Sequence, residues 1–251
     1  MEHPWFTILN HTSSPSYRLY CFPYAGASHT VFSHWRKALS PAVELALVKL
    51  PGRGMRYNEP QMSDLLDLAH AFAQSMPSRP AVPFAFFGHS MGALLAFEVS
   101  RWLIAHQKTT PLVLFASGST APSERDTLPP LSTLPADAFK QGVLAMNGIP
   151  AEIAQHDDLM DFFLPMIRTD IQLCEEYDYQ SSNTLTSPII AIGSDQDPRV
   201  PLSTLAAWQQ ETSSEFEQWH YPGDHFFVFQ HEAELLKRIE QQVSRYLIGK
   251  H

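Results

Sequence analysis

Residues 82–106 constrain this chain more than any other stretch. VPFAFFG runs straight into His89-Ser90, and MGALLAFEVSRWLIAH follows with no loop between. An almost continuous apolar run of strand length is what a central strand buried on both faces requires. The residues after it carry helical spacing. Strand, sharp turn and helix are therefore gathered around Gly88-His89-Ser90-Met91-Gly92, a G-x-S-x-G sequence. There the two glycines let neighbouring backbone approach a tight turn, and the serine hydroxyl is lifted above the end of the sheet as a nucleophile. A glycine-rich turn with an idle serine is the bland alternative, and the strand–turn–helix setting weighs against it.

The same rhythm recurs along the chain. RLYCFPYAG (18–26), VELALVKLPG (43–52), PLVLFASG (111–118), SPIIAIGS (187–194) and EFEQWHYPG (215–223) read as strands. Helical patterns stand between them over 29–39, after an N-cap at Ser63, and over 202–211. A last amphipathic helix carries Leu235, Leu236, Ile239, Val243, Tyr246 and Leu247 on one stripe. This alternation predicts an α/β fold, a mostly parallel sheet flanked by helices, in the α/β-hydrolase class that the elbow demands. Residues 119–187 break the pattern with helical pieces only. They predict a helical insertion of about 65 residues, placed as a lid within a single domain over 1–251.

Composition narrows the partners. Seventeen Lys+Arg against 26 Asp+Glu give a net charge of −9, which argues against nucleic acid, although one local basic patch remains compatible. No apolar run reaches the roughly 20 residues that span a bilayer, and the N-terminus lacks the pattern of a signal peptide. The expectation is a cytoplasmic protein with no membrane association, with Cys21 in a strand and Cys174 in a helix as reduced thiols. None of the 12 histidines falls in a metal-binding spacing, so no metal site is expected. Nothing demands more than a monomer.

A serine hydroxyl is a poor nucleophile until a base takes its proton, and in this fold class acid and then histidine follow in chain order. Gly193-Ser194-Asp195-Gln196-Asp197-Pro198 lies directly after a strand, with Asp197 the preferred acid and Asp195 the runner-up. The losing carboxylate would turn or cap the loop. His225, in YPGDHFF after the final strand, is the candidate base; His220 and His231 sit inside elements, and His89 points elsewhere on a tight turn. The oxyanion hole is expected from the Met91 amide at the positive end of its helix and from a second amide in FPYAGA, with Ala25 the choice.

CFPYAGAS (21–28), LPGRGMRYNEP (50–60), GHSMGALLAFEVSRWL (88–103), LPMIRTDIQLCEEYDY (164–179), the segment from PIIAIGSDQDPRV to Trp208, and YPGDHFFV (221–228) together resemble the type II thioesterases. These are the free-standing editing enzymes of nonribosomal peptide and polyketide assembly lines. The likeness runs over nearly the whole chain in order and spacing. It implies a triad of Ser90, Asp197 and His225, oxyanion amides at Ala25 and Met91, and hydrolysis of acyl groups from the phosphopantetheine arm of carrier proteins. It implies no metal or redox cofactor. The spacing of 28 residues from Asp197 to His225 favours Asp197 over Asp195.

Tyr24, Arg53, Arg56 and Phe226 become candidate contacts to substrate or phosphopantetheine, with loop salt bridges as the alternative for the two arginines. Met146, Phe162, Phe163, Leu164 and Met166 either face the acyl chamber or form the core of the insertion. Two departures stand out. Ala27 replaces a family glycine, and so does Asp224, which puts a carboxylate next to the base where it would favour the imidazolium. Other readings remain. One is a medium-chain fatty acyl carrier thioesterase, another a cytoplasmic esterase, and a third, in a different class, a non-catalytic carrier-binding module.

Overall fold

The computed structural model describes residues 3–127, 129–149, 151–181 and 184–249. Seven strands form one sheet: β1 (Phe6–Leu9), β2 (Tyr17–Phe22), β3 (Val43–Val48), β4 (Phe84–His89), β5 (Leu114–Ser117), β6 (Ile189–Ser194) and β7 (Phe216–Tyr221). Their order is β1-β3-β2-β4-β5-β6-β7, with β1 antiparallel to β3 and every other pair parallel. The mostly parallel sheet expected from the sequence is the sheet that forms.

Alternation along each strand divides the core into two layers, because successive side chains point to opposite faces. In β4, Phe84 and Phe86 pack with α1 (Leu65–Ser75), α2 (Met91–Ala105) and the 3-10 helix Leu202–Glu211. Ala85 and Phe87 face the other way, toward the 3-10 helix His29–Lys37 and, further along the sheet, the C-terminal helix. Phe86 lies at the centre of an edge-to-face aromatic group with Tyr20 at 5.7 Å and Phe22 at 5.2 Å.

Between β5 and β6 the chain carries the 3-10 turn Pro122–Thr127, α3 (Ala136–Ala145), α4 (Ala151–Ala154) and α5 (Asp157–Glu175). After β7 come the one-turn helix α6 (Phe227–Gln230) and the long helix α7 (Glu232–Ile248). Three details differ from the sequence reading. α1 is capped by Asp64, which accepts from Asp67 N–H at 2.8 Å, rather than by Ser63. β1 was not expected, and the segments 29–37 and 202–211 wind as 3-10 rather than α-helix. Among the described residues no helix is long and apolar enough to cross a membrane.

The site follows from the strand order. The chain leaves β2 toward one side and comes back on the other, so β2 and β4 flank the point where the order reverses. Open α/β sheets place ligands in the crevice beyond the carboxyl ends of such strands. The register sets Phe22 beside Gly88, so the loops after β2 and β4 start level with each other.

Truncating Phe86 at the centre of the sheet removes the ring that Tyr20 and Phe22 close upon. We expect Phe86→Ala to lower stability by about 3–5 kcal/mol in urea denaturation. Phe162→Ala, at a ring 57% exposed, should stay within about 0.5 kcal/mol of the parent.

Candidate active site

Ser90 sits at the corner between β4 and α2 with φ 54° and ψ −118°, a conformation that a non-glycine residue reaches only under strain. Its N–H donates to the Ser117 carbonyl at 2.8 Å, and its own carbonyl accepts from Ala93 at 2.9 Å. Both flanking glycines are required by space. A Cβ on Gly88 would lie 2.1 Å from the Gly92 carbonyl oxygen, and one on Gly92 would lie 2.2 Å from the Phe22 carbonyl oxygen. The motif therefore reflects backbone packed on backbone.

The loops after β6 and β7 are joined by hydrogen bonds before any catalytic group is considered. Asp195 N–H donates to the Tyr221 carbonyl at 3.2 Å, Gln196 N–H to the Gly223 carbonyl at 3.1 Å, and Gly223 N–H to Asp195 Oδ1 at 3.0 Å. Ser194 Oγ donates to the Asp224 carbonyl at 2.7 Å. This zipper brings His225 Nδ1 to 2.6 Å from Asp197 Oδ2, with both side chains buried. Asp197 Oδ1 accepts from the Arg199 and Val200 amides at 2.8 and 3.2 Å. Of the two candidate acids, Asp197 therefore meets the histidine and Asp195 pins the loop.

Ser90, Met91, Ala25 and His225 line one cavity of about 310 Å³, together with Tyr24, Met146, Glu175, Arg199 and Phe226. Ala25 stands at the first corner of a turn closed by Ala27 N–H donating to the Tyr24 carbonyl at 3.0 Å. Gly26 follows at φ 80°, which makes the turn type II. Met91 is the first residue of α2, at the positive end of its dipole. The Tyr24 ring lies edge-on to Phe226 at 4.8 Å, and burial pushes its hydroxyl pKa up to about 12.

The remaining candidates separate. Arg53 is buried against Asp170, donating Nη1 to Oδ2 and Nη2 to Oδ1, the latter at 2.7 Å. Arg56 is held by Glu59, by the Lys49 carbonyl at 3.0 Å and by the Trp5 ring at 4.0 Å. Both guanidinium groups are engaged as the loop salt bridges that the sequence left open, rather than held free for a phosphate. Phe226 reaches the turn at 147–148 only because Gly148 has no side chain; a Cβ there would lie 2.1 Å from its ring.

Of the apolar residues in the insertion, Met146 lines the cavity with Ser90. Phe162, Phe163 and Met166 line a second cavity of about 610 Å³, and Leu164 packs against the buried cluster of α3 and α5. Asp224 does not turn its carboxylate to the imidazole; it accepts from Phe226 N–H at 2.8 Å and Asn147 Nδ2 at 3.3 Å. Ala27 is not among the non-glycine residues with positive φ.

Sequence reasoning set His89 aside and overlooked Asp170. The His89 ring is buried 5.1 Å from the His225 ring, with Nδ1 3.0 Å from Ser117 Oγ. Burial first, and then the neighbouring His225, hold its pKa well below the usual histidine value, so it stays neutral. Asp170 carried a readable signal, an acid between Ile167 and Ile171 in an apolar helical stripe, which needs a cationic partner.

The profile of the thioesterase domain family matches residues 17–243. The chain belongs to that family. Its relatives include the gramicidin S biosynthesis protein GrsT of Aneurinibacillus migulanus, 33% identical over 98% of this chain and 96% of that protein. LgrE of Brevibacillus parabrevis, named a linear gramicidin dehydrogenase, is 35% identical over 98% and 94%. This chain has no G-x-G-x-x-G run, the fingerprint of a dinucleotide-binding dehydrogenase.

Two solved structures share the fold closely. ClbQ from the colibactin NRPS/PKS pathway superposes with TM-score 0.86 at 31% identity, covering 93% of this chain and 99% of that one. The type II thioesterase BorB from the borrelidin biosynthetic cluster gives TM-score 0.86 at 29% identity, covering 97% and 99%. The fold of this thioesterase-family chain is thus that of an α/β-hydrolase.

The two acids should part in kinetics. Asp197→Asn leaves an acceptor for the Arg199 and Val200 amides but removes the charge behind His225, and should cut thioester turnover by about 10³–10⁴-fold. Asp195→Asn, which keeps an oxygen acceptor for Gly223 N–H and removes no charge in contact with His225, should cost less than about tenfold. Comparable losses in the two variants would overturn the assignment.

Proposed function

We propose that this chain hydrolyses acyl thioesters carried on the phosphopantetheine arm of carrier proteins, and so clears misprimed or stalled acyl groups from nonribosomal peptide or polyketide assembly lines. The observation that carries the reading is the convergence of Ser90, His225 and the residues bearing the Ala25 and Met91 amides on one cavity, with Asp197 behind the histidine. Membership of the thioesterase family supplies the reaction class. The pathways named for ClbQ and BorB supply the context.

The chemistry follows from the groups in place. Ser90 Oγ attacks the thioester carbonyl carbon while His225 Nε2 takes its proton. The negative charge that forms on the carbonyl oxygen is held by the amides of Ala25 and Met91, donors fixed in advance rather than recruited from water. Asp197 keeps Nδ1–H directed away from the serine and stabilises the imidazolium. The carbon–sulfur bond then breaks and the imidazolium returns the proton to sulfur. A thiol with pKa about 8.5 leaves far more readily than an amine would as its anion. Water repeats the sequence on the acyl-serine, releasing the acid and restoring Ser90. No metal ion or redox cofactor takes part.

The helical segment between β5 and β6 acts as a lid, contributing Leu131, Met146, Ile171 and Glu175 to the cavity. We place the enzyme in the cytoplasm as a monomer. With a net charge of −9 it meets an acidic carrier through local apolar contacts, so association is weak and suits a protein that samples many carriers.

The deciding experiment loads acyl groups onto a phosphopantetheinylated carrier protein and compares the wild type with Ser90→Ala and with the matching oxoester. Carrier-thioester turnover should fall at least about 10³-fold in Ser90→Ala. Turnover of the oxoester alone would make the protein an esterase. Turnover confined to medium-chain fatty acyl carriers would move it to fatty acid release. Failure of folded protein to react with a fluorophosphonate would leave only a carrier-binding module.

A further inference from the structure

Asp170 is fully buried in α5, and its carboxylate is saturated by three separate parts of the chain. Oδ1 accepts from Arg53 Nη2 at 2.7 Å and from Gln61 Nε2 at 2.7 Å. Oδ2 accepts from Arg53 Nη1 and, at 2.7 Å, from the backbone N–H of Gly26. The last of these is the informative contact. It crosses from α5 to the turn after β2, and Gly26 is the residue next to Ala25.

The turn Tyr24–Ala27 is type II, with Gly26 at φ 80°. Types I and II differ in which way the peptide between the two central residues faces. Here that peptide directs its N–H to α5. Turning it over would swing the Ala25 carbonyl toward a buried carboxylate and leave Asp170 one donor short. Hydrogen bonds to an ionised acceptor are the strong kind, and a buried charge that loses a partner is costly. The carboxylate thus attracts one orientation and repels the other. Ile167 seals the contact from the same helix, since a Cβ on Gly26 would fall 2.6 Å from its Cγ1.

We propose that Asp170 is a positioning residue for the oxyanion hole: from α5 it locks the turn that presents the Ala25 amide, so that hydrolytic competence requires α5 to be seated. This rests on reading Ala25 as an oxyanion donor. Asp170 touches no substrate and acts only through the turn. Arg53, bonded to both carboxylate oxygens, keeps the carboxylate aimed.

The test compares two double variants that both remove the buried ion pair. Asp170→Asn with Arg53→Leu keeps an oxygen acceptor for Gly26, whereas Asp170→Leu with Arg53→Leu does not. The first readout is the rate at which a fluorophosphonate modifies Ser90, which needs the oxyanion hole but no thioester. The second is kcat and KM on an acyl carrier thioester.

The leucine pair should phosphonylate about ten- to hundredfold more slowly than the asparagine pair. Its kcat should fall by a similar factor while KM stays within about twofold, a split that general loosening of the fold would not produce. Equal phosphonylation rates in the two pairs would overturn the proposal. Wild-type protein that phosphonylates but leaves carrier thioesters intact would sink the proposed function alone. Should the leucine pair not fold, amide hydrogen exchange on the wild type decides. Gly26 should be protected to the same degree as the α5 amides from 167 to 171, and rapid exchange at Gly26 would overturn the proposal.

Discussion

The carbonyl oxygen of Phe22 lies 2.2 Å from where a side chain at residue 92 would begin, and most of the site depends on that approach. It sets the first turn of α2 directly on the end of β2. The positive end of the helix, the loop that follows β2 and the serine between β4 and α2 are thereby forced into one corner. A methyl group at residue 92 would separate them. The same compression explains why Ser90 tolerates a positive φ, whose cost is of order 1–3 kcal/mol. β4 is buried along its whole length and α2 is buried over most of its face, so the elbow has nowhere to relax.

What the sequence revealed was whatever repeats locally. Apolar runs at strand length, the G-x-S-x-G turn and the amphipathic stripe of α7 are each decided within a few residues. β1 was missed because its four residues form an antiparallel edge on which only Phe6 is buried, leaving no alternation to read. The 3-10 winding of 29–37 and 202–211 was missed because short apolar spacing does not distinguish i+3 from i+4 contacts. Both Asp195 and Asp197 follow β6 closely, so the loop itself left Asp195 as runner-up; the 28-residue spacing of the family pattern favoured Asp197, and it is Asp197 that meets His225. Arg53 was the hardest case. Its partner lies 117 residues away, and a cation in a glycine-rich loop reads locally like an anion-binding residue.

Three carboxylates crowd the base, and each accepts hydrogen bonds in a different direction. Asp197 is shared between the imidazole and two amides of its own loop. Asp195 is turned back onto Gly223, and Asp224 onto Phe226 and Asn147. Only one of the three acts on His225 directly. Beside the imidazole stands His89, which burial keeps neutral, so it fills space next to the catalytic ring without adding a competing positive charge. One oriented carboxylate therefore holds the imidazole, while the other two hold the loops around it.

The helical segment over this corner is held in two distinct ways. Its apolar cluster is small, built on Leu131, Phe139, Val143, Ile167 and Ile171, beside two much larger clusters on the sheet. Apolar contact is non-directional and tolerates sliding. Register must come from the polar ties along α5. Arg168 donates to the carbonyls of Ser132 and Leu134, and Glu175 accepts the amides of Leu131 and Ser132, so α5 carries the 131–134 loop with it. Asp170, between them, ties α5 to the loops after β2 and β3. Alongside it, Gln61 donates to the Met166 carbonyl at 3.0 Å and Arg199 lies beside Glu175 at 3.7 Å. The segment is thus fastened to itself at both ends and to the site loops near its middle, while Leu173 anchors the C-terminal part of α5 in the larger cluster against α2. Under the role proposed for Asp170, the seating of α5 and the geometry of the turn at Ala25 are set together, because the same carboxylate belongs to both.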